Sequence, residues 1–477
     1  MFEESAAVID RICAASAAEN RAAGARLAAI GELDLLRLRE CGERESWVSD
    51  TWDAISAEVA AALNISQALA SSYLNYSRAM RIRLPHIGAA LIAGEISYST
   101  FQTIVYRTDL ITDSDVMAAV DAELATRVRR WPAMTRGRLS AAVDRVVARA
   151  DRDAVRRARE RQADREFSLW DGGNGLTEVF GRLVTTDARV LDARLNALAH
   201  SVCDGDTRTV KQRRADALAA LGAGADRLQC RCGQPTCPRA TAAAPSPVVI
   251  HIVANQSSVD RTSLEPAAII GSETLIPAEL VAQLADSATL RPVVHPGNTT
   301  PERGYVPSRA LADFVRCRDL TCRFPGCDHP ATDCDLDHTI PHAEGGATHA
   351  SNLKCLCRSH HLVKTFWGWR DRQVADGTMI WMSPSGRTHV TTPGSALLFA
   401  QLCAPTGELV PDVRPDPCTD RYAMMPRRRR TRAQTRADYL TTERRRNRKA
   451  RNQLQTNSAA TQLTSQGRPP DGEPPPF

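Results

Sequence analysis

Six of the 14 cysteines fall between Cys317 and Cys357, and six of the 11 histidines fall between His329 and His361. Thiols and imidazoles packed into one short stretch either cross-link the chain or bind metal. The compartment decides which. The chain opens MFEESAAVID, with acid where a leader peptide carries base, and no apolar run approaches the length of a membrane span. The expectation is a soluble, cytoplasmic protein whose cysteines are thiols or metal ligands. Aromatic residues make up only 5%. Burial therefore rests on Ala, Leu and Val, which favours helices over a β-sandwich.

Two sets of spacings interleave in residues 317–366. The first pairs Cys322-x4-Cys327, bracketing Pro325-Gly326, with Cys357-x2-His360. On a helix predicted to begin near Asn352, positions 357 and 360 share a face. Three thiolates and an imidazole suit a closed tetrahedral zinc site, which staples a segment too small to bury much core. The alternative is a set of buried, metal-free cysteines. The second set is Asp337-His338, Asn352 and His361. A carboxylate, an amide oxygen and an imidazole suit Mg²⁺ or Mn²⁺, and a neutral histidine suits a general base. Together these are the parts that phosphodiester hydrolysis needs. His360 and His361 diverge by roughly 100° on a helix, so one can face zinc and the other a second metal. Lys364, three residues beyond His361, could meet a phosphate.

Asp337-His338-x2-Pro341, Gly345-Gly346, Thr348, Asn352-Leu353 and Cys357-x2-His360-His361-x2-Lys364-Thr365 resemble the HNH endonuclease motif. The resemblance implies a ββα-metal module, two strands, a loop and a helix around one divalent ion, that cuts or nicks DNA to leave 5′-phosphate and 3′-hydroxyl ends. It implies His338 as general base and Asp337 and His361 as metal ligands. Asn352 is either a ligand or an orienting residue. Cys322, Cys327, Cys357 and His360 become the zinc set. Relatives often carry cysteine where this chain has His360, so the two adjacent histidines can exchange roles. The wider layout, including CRFPGC, CDLDHTIP and GWRDRQVADGTMIWMSPSG, resembles actinobacterial HNH proteins of repetitive elements whose N-terminal half is a helical domain of unknown function.

Other residues have weaker claims. His342 can contact phosphate or simply be solvated, and Glu344 reads as loop surface. Cys334 and Cys355 read as small core residues. Cys317 and His329 are substitutes for the zinc set. Cys230-x-Cys232-x4-Cys237 is three-quarters of a second metal site and needs a fourth ligand from elsewhere, with His251 a candidate. Between Arg427 and Arg451, twelve basic residues face two acids, whereas the whole chain carries only +6. Arg427, Arg428, Arg429, Arg430, Arg444, Arg445 and Arg446 read either as inert solvated charge or as a polycation that grips DNA phosphates without sequence preference.

The expected fold class is α+β and mostly helical. Residues 1–165 read as a helical domain, 166–300 as a small α+β unit, 301–400 as the zinc-stapled module, and 401–477 as a linker and disordered basic tail. Within the first part, EVAAALNISQALASSYLNYSRAM reads as helix, turn, helix, with Asn64 and Ser66 as turn and cap, and a second pair flanks Gly94-Glu95. Such a pair either reads DNA or is plain packing. The Ala/Pro run at 240–247 reads as a linker. The expected partner is DNA, with no membrane and no small-molecule cofactor, and the helical half is a candidate for self-association. The rival reading is a catalytically silent, zinc-containing DNA-binding protein of a mobile element. An RNA nuclease ranks lower, because the chain is poor in stacking aromatics.

Overall fold

The structure, a computed structural model, describes residues 2–132, 134–156, 165–171, 176–239, 249–272, 274–286, 288–407 and 424–466. It is mixed α+β and mostly helical. The first 150 residues form α1 (Phe2–Cys41), α2 (Thr51–Leu63), α3 (Gln67–Arg78), α4 (Pro85–Ile92), α5 (Tyr98–Arg107), α6 (Ser114–Val128) and α7 (Arg136–Ala150). Asp50 caps α2 in a capping box with Asp53. Asn64 ends that helix in the left-handed conformation, and the Ser66 hydroxyl accepts from Leu69 N–H to start α3. The second break falls at Gly94, with Ser97 capping α5. Leu27, Phe101, Ile104, Leu124, Val143 and Val147 are fully buried in the bundle core.

The middle of the chain does not form one unit. Strands β1 (Glu166–Asp171) and β2 (Thr177–Arg182) pair antiparallel, with Glu166 opposite Arg182. Helices α8 (Thr185–Ala199) and α9 (Val210–Gly222) bury a small core of their own around Leu198, Val202, Ala217 and Leu228. The apolar run before residue 255 yields only a two-residue strand, β3 (Ile252–Val253). It joins β4 (Ala267–Ile269) and β5 (Leu275–Ile276) in an antiparallel sheet, with α10 (Gln256–Val259) and α11 (Ala278–Ala285) alongside. Val253 and Ala268 of this sheet belong to the core of the Cys/His segment, not to that of α8 and α9. The linker expected at 240–247 lies outside the described residues.

The Cys/His segment follows α12 (Arg309–Asp319). Strands β6 (Asp335–His338) and β7 (Leu353–Leu356) pair antiparallel, with His338 opposite Leu353 and Asp337 opposite Lys354. Helix α13 (Arg358–Phe366) comes next, then β8 (Arg370–Gln373), β9 (Met379–Met382) and β10 (Thr388–Thr391) in a sheet ordered β10-β9-β8. The helix predicted from Asn352 therefore starts later. Leu353–Leu356 is a fully buried strand held by its ladder to β6, and Cys357 is the N-cap residue of α13. The core around this segment extends into the N-terminal bundle. Trp47, Ala54, Ala57 and Ala61 pack within it, Trp47 stands edge-on to Trp367 at 5.7 Å, and Trp367 Nε1 donates to Ser49 O at 3.1 Å.

The tail departs furthest from expectation. Residues Arg432–Gln466 form α14, and the basic run is docked rather than disordered. Arg428 and Arg432 pair with Asp50 and Asp53, Arg436 with Asp109 at 2.5 Å, and Arg444 with Asp151 at 2.5 Å. Arg448 and Arg451 pair with Asp153, and the buried Asn447 amide donates to the carbonyls of Asp153 and Val155. Acids dispersed over a hundred residues of sequence converge on one basic helix, so self-repulsion does not keep it unfolded.

Candidate metal centre and active site

Cys322 and Cys327 flank a tight turn. Gly326 takes φ +73°, and a Cβ there would stand 2.6 Å from Ile65 O in the turn between α2 and α3. Only glycine permits both that backbone and that approach. Cys357 N–H donates to Cys322 Sγ at 3.3 Å, and His360 Nδ1 lies 3.3 Å from Cys357 Sγ and 3.7 Å from Cys322 Sγ. The ligand atoms of Cys322, Cys327, Cys357 and His360 all lie within 4.8 Å of one another, so the group could hold a zinc-like ion. Hydrogen bonds from the Cys322 and Cys327 thiols hold Cys357 well below the usual thiol range. Hydrogen bonding to Cys322 and Cys357 pushes Cys327 up, and burial does the same to Cys322. A dication among the three sulfurs would let all of them ionise. Phe324 stacks on His360 at 4.1 Å. His329 is exposed, and Cys355 is wholly buried against α12.

The second set converges on Asp337. Its Oδ1 lies 3.3 Å from His361 Nε2, and its Oδ2 takes both Lys354 Nζ and Lys364 Nζ at 2.6 Å. His361 Nδ1 is 2.8 Å from Asp335 Oδ2, so the carboxylate fixes the ring and aims the opposite nitrogen at Asp337. The two adjacent histidines thus separate, the buried His360 toward the thiols and His361 toward the carboxylates. Burial pushes the Asp337 carboxyl up, but Lys354, Lys364 and His361 pull it well below the usual range. Lys354 is itself fully buried, and Asp337 and Asp371 keep it charged against that burial.

Lys364, expected to meet phosphate, is instead engaged with Asp337 and with His338 O at 2.7 Å. Asn352, offered as a metal ligand, clamps the loop between β6 and β7. Its Oδ1 accepts from Ile340 N–H at 2.8 Å, and its Nδ2 donates to Ile340 O and Ala347 O. Gly346 closes the same loop so tightly that a Cβ would fall 1.8 Å from Ile340 O. Asp337 Oδ1 and His361 Nε2 thus face each other, whereas the Asn352 amide is turned onto its own loop.

His338 is buried at the end of β6. Its Nε2 is 2.9 Å from Thr348 Oγ1, which in turn donates to Gly304 O at 2.6 Å. The threonine proton being engaged there, its oxygen must accept from His338, which leaves Nδ1 as the free acceptor. Burial, and then His342 beside it, bring the ring down to about 4, so it is neutral near pH 7. Tyr305 stacks on the ring at 5.2 Å and His342 stands edge-on at 5.6 Å.

Asp335, Lys354, Asp371 and Tyr305 were not singled out from sequence. Asp335 carried a signal: it is two residues from Asp337 on a strand and so shares its face. Of the basic run, Arg427, Arg429, Arg430, Arg445 and Arg446 remain exposed, with Arg430 on Asp438 and Arg446 on Glu443, while Arg428 and Arg444 lie against the bundle. A second group, Cys203, Cys230, Cys232 and Cys237, also draws its ligand atoms within 4.8 Å of one another. Its fourth member is Cys203, not His251, which is exposed beside β3. No described helix is long and apolar enough to cross a membrane.

These observations define a mostly helical protein built around a Cys/His cluster able to hold metal. The model of a domain of unknown function, DUF222, matches residues 14–319, and the chain belongs to that family. The chain is 40% identical to uncharacterized protein Rv3776 of Mycobacterium tuberculosis over 98% of its own length and 95% of the relative's. It is 42% identical to uncharacterized protein Rv2100 of the same organism, over 89% and 85%. No solved structure matches the chain.

Proposed function

We propose that this protein is an HNH-type, metal-dependent endonuclease acting on DNA. The observation that carries the reading is the aim of His361 Nε2 at Asp337 Oδ1, 3.3 Å away, with Asp335 holding the ring from behind. The order strand β6, loop, strand β7, helix α13 supports it, as does the neutral His338 with its Nδ1 free. Cys322, Cys327, Cys357 and His360 hold a structural zinc that pins α13 to the turn at Pro325-Gly326.

In this reading His338 Nδ1 takes a proton from water as its oxygen bonds to phosphorus. The bond from phosphorus to the 3′-oxygen breaks, and that oxygen leaves with a proton from solvent. Asp337 and His361 would hold a Mg²⁺ or Mn²⁺ ion, which would supply positive charge to the phosphate and the leaving oxygen. Lys354 and Lys364 fix Asp337 in place. The exposed Arg429, Arg445 and Arg446 add sequence-independent attraction to the backbone.

The test is plasmid nicking with Mg²⁺ or Mn²⁺. His338→Ala should lower the rate about a hundred- to ten-thousand-fold while DNA binding persists. One observation favours the rival, a DNA-binding protein without catalysis: two ammonium groups already neutralise Asp337. A wild-type chain that binds DNA but nicks no faster than His338→Ala decides for that rival.

A further inference from the structure

We propose that Cys203, Cys230, Cys232 and Cys237 form a second zinc site, an all-thiolate one, that staples the α8–α9 pair independently of the Cys/His site. The four sulfurs come from two stretches, one between the helices and one after α9, and lie within 4.8 Å of one another. Ligands at 2.3 Å in a tetrahedron stand about 3.8 Å apart, so small adjustments accommodate the ion. Cys203 Sγ and Cys230 Sγ are 3.3 Å apart, well beyond the roughly 2.05 Å of a disulfide. Four thiolates with no imidazole or carboxylate among them suit a borderline-soft tetrahedral ion.

The surroundings are built for such a site. A Cβ on Gly205 would already touch Cys232 Cβ at 3.5 Å and Cys203 Sγ at 3.8 Å. Gly233 takes φ +71° at the turn between Cys232 and Cys237. Asp206 ties the two stretches together, accepting from Arg231 N–H at 2.8 Å and pairing with Arg208, which donates to Gln229 O.

The need for a staple follows from the packing. The α8–α9 pair buries a cluster of five residues, Cys230 among them, that is separate from the larger cores. So small a core does not hold two helices by itself. Closing the loops from Cys203 to Cys237 through one ion removes chain entropy that burial alone does not offset.

The test is the zinc content of the full-length chain, by elemental analysis and native mass spectrometry under reducing conditions. Two zinc ions per chain are expected, falling to one in Cys203→Ser and in Cys237→Ser, with the other lost in Cys322→Ser. A single zinc that persists in Cys203→Ser and Cys237→Ser overturns the proposal. So does a Cys203–Cys230 disulfide in the wild-type protein. Should the serine variants not fold, the wild-type chain loaded with cobalt decides. A sulfur-to-cobalt band matching seven thiolate bonds supports two sites, and one matching three overturns the second. The outcomes for Cys203 and Cys237 do not bear on the nuclease reading, which rests on Asp337, His338 and His361.

Discussion

Asp335 holds His361 by Nδ1 at 2.8 Å, and the far nitrogen of the same ring stands 3.3 Å from Asp337. The carboxylate orients the imidazole so that Nε2 points at Asp337. Asp335→Asn should therefore weaken Mn²⁺ dependence and lower nicking about 10- to 100-fold, a range typical of lost outer partners of metal-bound histidine. A Mn²⁺ titration of the nicking rate checks this. An unchanged titration would remove Asp335 from the mechanism.

Lys354 is buried between Asp337 and Asp371 with no exposed side-chain surface. Lys354→Met leaves the buried Asp337 and Asp371 carboxylates with Lys364 as their shared ammonium and should destabilise the fold by about 3–5 kcal/mol. The double variant Lys354→Met/Asp371→Leu should recover part of that loss. Urea unfolding of the single and double variants gives the coupling directly, and additive losses would show that the ammonium is not shared.

Asn352 satisfies one N–H and two carbonyls of the loop that ends in Ala347. Asn352→Ala leaves those groups without partners at a cost of about 1–3 kcal/mol. Because the loop also positions Thr348 against His338, nicking should fall even at temperatures where the variant is fully folded. Activity that follows stability alone would confine Asn352 to a scaffolding role.

The docking of α14 should be acid-sensitive. Burial pushes the Asp109 carboxyl up, but Arg436, Arg83 and Arg156 together pull it below its ordinary value. A depressed carboxyl contributes stability that is present above the unfolded value of about 3.9 and is lost as pH falls through the folded one. Amide exchange in α14, corrected for intrinsic rate, should stay constant from pH 7 to 5 and accelerate below about 4. Asp109→Asn should flatten that dependence. Loss of protection between pH 7 and 5 would contradict it.

What could be foreseen from sequence had local spacing behind it. Cys322-x4-Cys327 and Cys357-x2-His360 are pairs within one turn each, and they meet as read. Asn64 and Ser66 announce a helix break because αL tolerance and capping are properties of single residues. What escaped was long-range. Cys203 lies 27 residues before Cys230, and nothing local joins them. Lys354 carries no local signal, and only the register sets it opposite Asp337. The run at Arg427–Arg451 reads as unfolded because its carboxylates, Asp50, Asp53, Asp109, Asp151 and Asp153, are contributed by distant parts of the chain. From sequence, Leu353–Leu356 reads as the start of a helix, and only its pairing with β6 makes it a strand.

The family match ends at Asp319, yet the bonds do not. The Asp319 carboxylate receives Cys355 N–H at 2.8 Å, Arg318 donates to Ala350 O and Leu353 O, and Trp47 sits beside Trp367. A fragment trimmed to the residues after α12 would turn the Trp367 indole and the carbonyls of Ala350 and Leu353 toward water. The C-terminal third is therefore not a portable cassette. Evolution can graft it elsewhere only by carrying along the opening helices or by inventing a new floor for it.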